Sequence, residues 1–279
     1  MNLVLQGPKA TPDCLARIAA LANPARVITL NEHAVRCETV DFSDALKQTI
    51  EVAAQAAQLD ATFIDADLKL ADFKLVAMDM DSTLITIECI DEIADMQGLK
   101  PQVAEITEAA MRGELEFSES LMRRVALLEG LEASALERVY DERLAISMGG
   151  EAMLAAVKAA GLKTLLVSGG FTFFTERLKT RLGLDYTHAN ALEIVDGKLT
   201  GRVVGGIVDA EEKKRTVERV CAEMGISTHE AIVMGDGAND LKMMGIAGLS
   251  LAFRAKPVVR AQATVALNFA GLDGLLNIL

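Results

Sequence analysis

Several common chemistries have no footing in this chain. The four cysteines, Cys14, Cys37, Cys89 and Cys221, are scattered with no C-x-x-C spacing. They read as reduced, mostly structural thiols of a cytosolic, cytoplasmic protein. The three histidines, His33, His188 and His229, lie far apart, which argues against a histidine-based zinc site and against a Ser-His-Asp triad. No G-x-x-x-x-G-K-[ST] run occurs, so a P-loop kinase is disfavoured. No apolar stretch approaches membrane-spanning length. The opening residues, Met1 to Gly7, carry no basic cluster and quickly turn polar, so no signal peptide is expected. Internal repeats and low-complexity segments are absent. Positive charge is in deficit: a net charge of −12 argues against non-specific nucleic-acid binding. It leaves a phosphorylated small molecule open, since local groups and a metal ion decide that case.

What remains is a chain of 279 residues with 51% hydrophobic content, enough for one large domain plus a small one, or for two modest ones. Residues 1–72 alternate in type. A strand is expected at Asn2–Gln6, a helix at Thr11–Ala22, extended runs near Arg26–Leu30 and Ala34–Val40, a helix at Ser43–Gln58 and a strand at Ala61–Leu68. This β-α-β-β-α-β order predicts a small α+β, ferredoxin-like module. No catalytic constellation lies within it. A small regulatory or dimerising unit is its default reading, which leaves a homodimer open.

Residues 73–279 follow a different grammar. Lys74 to Met80 reads as a short buried strand. An all-helical block at about 87–147 follows, broken near Gly98, Gly113 and Gly130, in the position of a cap inserted over a catalytic face. From Gly149 onward helices and strands alternate, with an Asp196-Gly197 hairpin turn between two of the strands. The pattern predicts an α/β fold: a doubly wound parallel sheet with helices on both faces.

Three strand ends carry polar groups. Asp79 and Asp81 close the first strand, Ser168-Gly169-Gly170 follows Thr164–Val167, and Gly235-Asp236-Gly237-Ala238-Asn239-Asp240 follows Ile232–Met234. In a parallel sheet all three lie on one edge, where open α/β folds bind ligands. Two like charges at a strand end are costly unless a cation or a reaction uses them. A carboxylate can act as a nucleophile toward phosphorus. Asp79 with Asp236 can hold Mg²⁺, which takes one or two carboxylates together with phosphate oxygens. Ser168 and the amides after it can cradle phosphate at a helix start. Lys213 or Lys214 can complete the charge clamp.

These four motifs, in this order, resemble the haloacid dehalogenase superfamily. Within it, Asp79-Met-Asp-Ser-Thr-Leu-Ile-Thr-Ile-Glu88, Val167-Ser-Gly-Gly-Phe171 and Val233-Met-Gly-Asp-Gly-Ala-Asn-Asp240 resemble the phosphoserine phosphatase family, over about residues 74–279. The resemblance implies Mg²⁺-dependent hydrolysis of O-phospho-L-serine, the last step of serine biosynthesis. It implies Asp79 as nucleophile and Asp81 as acid, then base. It implies Mg²⁺ on the Asp79 and Asp236 carboxylates and the Asp81 main-chain carbonyl, with Asp240 behind them. Ser168, Gly169 and Lys213 would bind the phosphoryl group, and Asn239 would order substrate beside it. In the cap, Glu88 would bind the substrate ammonium and Arg124 its carboxylate. Arg123 is the close competitor, and the family's Arg-Val-x-Leu-Leu pattern selects Arg124. Met111 and Phe117 would form an apolar lid. Residues 1–72 resemble a degenerate amino-acid-binding, ACT-like domain.

Each feature has a plainer reading when taken alone. Asp-x-Asp and Ser-Gly-Gly are ordinary turn chemistry, Glu88 is a first-turn acid favoured by the helix dipole, and Arg124 is a surface cation. Two rival functions follow: the same chemistry on another small phosphate ester, and a non-catalytic amino-acid sensor. Intact Asp79, Asp81 and Asp236 argue against the sensor, which needs no nucleophile.

Overall fold

The computed structural model describes residues 1–111 and 114–279, Met111 through its backbone alone. The N-terminal part has the expected element order: β1 (Asn2–Gln6), α1 (Pro12–Leu21), β2 (Arg26–Asn31), β3 (Ala34–Glu38), α2 (Asp44–Ala56) and β4 (Asp60–Ile64). Thr11 and Ser43 cap the two helices, each accepting a main-chain N–H three residues on. The strands form an antiparallel sheet in the order β2-β3-β1-β4. β4 stops earlier than its alternation suggests. Asp65 accepts the N–H of Asp67 and turns the chain out of the sheet.

Alternation in β1 sends side chains both ways. Leu3 and Leu5 pack under α1 and α2 with Leu15, Ile18 and Ile50, whereas Val4 joins the core of the larger part. Beside it the buried Asp60 carboxylate accepts main-chain N–H groups of Asn268, Phe269 and Ala270 at 2.7, 3.1 and 2.8 Å. Burial raises its carboxyl and these bonds oppose the rise.

The larger part begins with β5 (Leu75–Met78), every side chain of which is buried. Four helices follow: α3 (Cys89–Asp95), α4 (Lys100–Met111), α5 (Phe117–Ala126) and α6 (Ser134–Glu142). The break expected near Gly113 lies outside the described residues. The chain continues through α7 (Gly150–Ala159), β6 (Lys163–Phe171), α8 (Thr172–Leu182), β7 (Tyr186–Val195), β8 (Lys198–Val204), α9 (Ala210–Met224) and β9 (Ala231–Gly235). It closes with α10 (Leu241–Met244), β10 (Leu249–Phe253), α11 (Pro257–Arg260), β11 (Val265–Leu267) and α12 (Leu275–Ile278).

The large sheet has the order β11-β10-β9-β5-β6-β7-β8. All its pairs are parallel except β7 with β8. Asp196 and Gly197 both take positive φ, so the hairpin reverses the last strand and makes the sheet mixed. β11 has no signature in the sequence, because three residues give no readable period. β5 lies at the centre, and separate apolar clusters cover the sheet's two faces. The carboxyl ends of β5, β6, β9 and β10 therefore share one edge beneath the helical insertion.

Candidate active site

The chain turns sharply after β5. Leu84 and Ile85 donate to the carbonyls of Asp79 and Met80, five residues back, and Ser82 takes φ +56. This turn sets Asp79 and Asp81 on the wall of one cavity of about 630 Å³. An Asp81 carboxylate oxygen accepts the Cys89 N–H at 3.3 Å, which ties the turn to the first cap helix.

On α9, Asp209 caps the helix by accepting the N–H groups of Glu211 and Glu212, each at 2.9 Å. Lys213, Thr216, Val217 and Val220 then form its inward face. Lys213 Nζ lies 2.7 Å from Asp79 Oδ1 and 2.8 Å from Asp240 Oδ1. The first contact is a short ion pair, and no group other than Lys213 approaches Asp79 Oδ1 as a donor. Lys214 instead pairs with Glu218 at the surface, so geometry separates the two lysines. Burial alone would lower the Lys213 ammonium, but Asp240 and Asp79 outweigh it and hold the lysine charged.

Ser168 and Gly169 lie where the pairing of β6 with β7 breaks register, between Val167 and Phe171, and form a backbone cradle there. Ser168 Oγ accepts the Gly170 N–H at 2.8 Å, and Asn190 donates to the Gly169 carbonyl at 2.8 Å. A Cβ on Gly170 would meet Met80 Cε at 2.8 Å and Asp81 Oδ2 at 3.0 Å. The loop after β9 is as tight, since a Cβ on Gly235 would lie 2.4 Å from Asp240.

From the cap, Glu88, Phe117 and Arg124 line the same cavity, and Asn239 joins them from the core. Ser82 donates to Glu88 at 2.6 Å. Burial of the carboxylate in the cavity, and then Asp91, raise the Glu88 carboxyl, although part of the residue stays exposed; Ser82, Arg124 and Lys256 oppose the rise. Arg124 is half-buried, and burial lowers its guanidinium against the pull of Asp91, Glu88 and Asp81. Arg123 points to solvent and pairs with Glu119 at 2.6 Å. The side chain of Met111 lies outside the described residues.

Carboxylate oxygens of Asp79, Asp236 and Asp240 come within 4.8 Å of one another. Burial, then Asp240, pushes the Asp79 carboxyl well up. Burial, Asp240 and Glu88 push Asp236 to about 7. Burial and Glu88 push Asp81 to about 7. Asp240 is already engaged: one oxygen takes Lys213, and the other accepts the N–H groups of Asp236 and Gly237 at 3.2 and 3.0 Å. Asp79 and Asp236 are left to face a cation. Two carboxylates crowded within 4.8 Å of each other, both raised by burial, fit a hard divalent ion.

Two contributors escaped the sequence reading. Asn190, buried on β7, bridges the Gly169 carbonyl and the Val208 N–H at 2.8 Å each, joining the β6 loop to the approach of α9. Lys256, beyond β10, lines the cavity, and its N–H donates to the Asp236 carbonyl at 3.1 Å. The rule of strand ends on one edge would have found Lys256. Nothing local marks Asn190.

Residues 76–245 match the model of the haloacid dehalogenase-like hydrolases. A phosphoserine phosphatase of Polaromonas is 58% identical over 217 residues, 76% of this chain and 92% of that protein. A haloacid dehalogenase family hydrolase from Salmonella enterica superposes with a TM-score of 0.90 at 33% identity, covering 100% of this chain and 98% of that one. A probable phosphoserine phosphatase from Vibrio cholerae gives a TM-score of 0.84 at 37% identity, over 99% of this chain and 85% of that one.

Proposed function

The chain belongs to the haloacid dehalogenase-like hydrolase family, and we propose that it is a Mg²⁺-dependent phosphatase converting O-phospho-L-serine to L-serine and phosphate, the last step of serine biosynthesis. One observation carries this reading. Asp79 and Asp81, the pair suited to phosphoryl transfer, share a cavity with Glu88 and Arg124, a pair suited to the charged ends of an amino acid. The relatives named above support the substrate.

In this reading a carboxylate oxygen of Asp79 attacks phosphorus, and the bond from phosphorus to the serine oxygen breaks. Asp81, held near neutral pKa, gives its proton to that oxygen. Water then attacks the phosphorus of the phospho-aspartyl group, Asp81 takes a proton back, and phosphate leaves with Asp79 restored. Lys213, Ser168 and the Gly169 N–H hold the phosphoryl oxygens, and Asn239 orders substrate beside them. The Asp79 and Asp236 carboxylates and the Asp81 carbonyl would hold Mg²⁺, with Asp240 supporting them. The ion would offset the charge of phosphate facing carboxylates. Phosphate-monoester hydrolysis demands up to ~10²¹-fold acceleration, and one acid or base contributes roughly 10²–10⁴, so nucleophile, clamp and cation share the task.

Glu88 takes the substrate ammonium. Arg124 takes the carboxylate, which its planar fork fits. Phe117 forms part of the lid that excludes water. Residues 73–279 act as the catalytic unit with its cap at about 87–147, and residues 1–72 as an ACT-like companion. The four free thiols agree with a cytoplasmic location.

The test is phosphate release from O-phospho-L-serine with Mg²⁺ and with EDTA, beside phosphothreonine, phosphoglycolate and p-nitrophenyl phosphate. Metal-dependent preference for phosphoserine is expected. Equal turnover of all four esters would retain the phosphoryl-transfer chemistry and overturn the substrate.

A further inference from the structure

The cavity presents a problem to the substrate proposed for it. Among the described side chains that line it, Asp79, Asp81, Glu88 and Asp236 are acidic and only Arg124 and Lys256 are basic. Lys213 lies below the wall, fully buried and already shared between Asp79 and Asp240. Arg124 belongs to the cap, opposite the phosphoryl-transfer loops. With Asp79 and Asp236 given to Mg²⁺ as proposed above, Asp81 and Glu88 remain acidic in the lining, and Lys256 is the one exposed ammonium among the described lining residues that an entering phosphate dianion can meet on the core side.

Lys256 is built into that position. It follows β10, whose carboxyl end lies beside that of β9, and precedes Pro257 at the start of α11. Its main-chain N–H donates to the Asp236 carbonyl, which fixes the base of the side chain against the loop after β9. Its ammonium makes no ion pair within 4 Å with a described carboxylate, unlike Lys213, Lys214 or Lys242. Its charge nonetheless reaches both Glu88 and Asp236. A cation without a partner, anchored through its backbone and facing two acids across a cavity, is free to turn toward an incoming anion.

We propose that Lys256 is a substrate-recruiting residue, whose ammonium receives the phosphate dianion of the phosphomonoester at the cavity mouth and passes it to the Ser168–Lys213 cradle. This rests on the phosphatase reading above. Lys256 contributes to capture and not to the chemical step, because an exposed rim charge acts on encounter and on salt dependence. The size of the effect is that of an exposed ion pair with phosphate, about two- to fivefold in KM.

The experiment compares the full chain with Lys256→Gln, Lys256→Glu and Lys256→Arg, measuring kcat and KM for O-phospho-L-serine at low and high salt. Binding of inorganic phosphate is measured beside them by calorimetry. Lys256→Gln is expected to raise KM with kcat held, to flatten the salt dependence of kcat/KM and to weaken phosphate binding. Lys256→Glu should do all three more strongly, and Lys256→Arg should restore the parent values. Unchanged KM, salt slope and phosphate affinity in both Lys256→Gln and Lys256→Glu would overturn the assignment. So would a fall in kcat at constant KM, which would make Lys256 a support of the Asp236 loop. An unmodified chain inactive on phosphoserine would sink the phosphatase reading, and unchanged phosphate binding in the variants would sink this one, so the two failures are separable.

Discussion

The ammonium of Lys213 lies 2.7 Å from Asp79 Oδ1, in a place where bulk water reaches neither side chain appreciably. The same nitrogen is 2.8 Å from Asp240. One lysine thus holds together the carboxylate after β5 and the loop after β9, from the helix that leads into β9 and lies far from β5 in sequence. Removing it strands two buried carboxylates. Breaking a buried pair typically costs about 3–5 kcal/mol, so Lys213→Ala is expected to lose that order of stability in urea unfolding along with almost all phosphatase activity. Lys213→Arg should not restore activity, since a planar fork cannot replace a compact ammonium in a closed pocket. A Lys213→Ala protein of unchanged stability would contradict the arrangement.

Asp79 and Asp81 separate by role. Asp79→Asn should abolish the phosphoenzyme, seen by mass spectrometry of protein quenched with acid during turnover. Asp81→Asn should still form it and slow turnover by on the order of 10²–10⁴. A phosphorylated Asp79→Asn protein would place the nucleophile elsewhere.

The acidic cluster makes metal-free stability depend on pH in a definite direction. Asp236 and Asp81 titrate near 7 when folded, against an ordinary value of 3.8. The folded state therefore binds more protons than the unfolded one between about pH 4 and 7, and this part of the stability falls as pH rises through that window. Asp236→Asn removes one contributor. It should stabilise metal-free protein by on the order of 1 kcal/mol at pH 8, about 2–4 °C in melting temperature, and by little at pH 4. Mg²⁺ should stabilise the parent more at pH 8 than at pH 5 and release protons on binding, which calorimetry in buffers of different ionisation heat will read.

Much of this site was legible in the sequence because the sheet edge gathers what the chain scatters. Asp79, Ser168 and Asp236 each follow a short apolar run, and parallel pairing of those runs leaves one place for all three. The antiparallel small sheet was legible from its element order. The remainder depends on contacts that carry no local period. Asp60 meets the amides of residues 268–270 across more than two hundred residues. Asn190 serves the Gly169 carbonyl from another strand. The residues alone leave Lys213 beside Lys214 and Arg123 beside Arg124; only the family resemblance chooses within each pair, because the choice is one of helix phase, which the structure shows with Lys213 and Arg124 facing inward.

Arg124 should govern substrate choice more than chemistry. Arg124→Ala is expected to raise KM for phosphoserine by about tenfold or more, the loss of roughly 1.5–3 kcal/mol that a hydrogen bond to a charged group contributes. Turnover of p-nitrophenyl phosphate should change little. If discrimination between phosphoserine and phosphoglycolate survived the substitution, the carboxylate would be bound elsewhere.

Gly169 and Phe117 set how closely the cap approaches the phosphate cradle. A Cβ placed on Gly169 would lie 2.9 Å from Phe117 Cζ, closer than packed atoms tolerate. That contact joins an α5 ring to the backbone whose N–H is proposed to hold phosphate. Gly169→Ala forces either the ring and its helix outward, admitting water, or the loop inward, misplacing the amide. Either shift lowers kcat, and a misplacement of about 1 Å can cost on the order of 10²-fold. The two routes are distinguishable. Gly169→Ala with Phe117→Leu should recover activity if the ring was displaced, because the shorter side chain makes room for the methyl group. The same pair should recover nothing if the loop moved, since the cradle stays distorted whatever faces it. Phe117→Leu alone should keep most activity, which leaves the double variant interpretable against both parents.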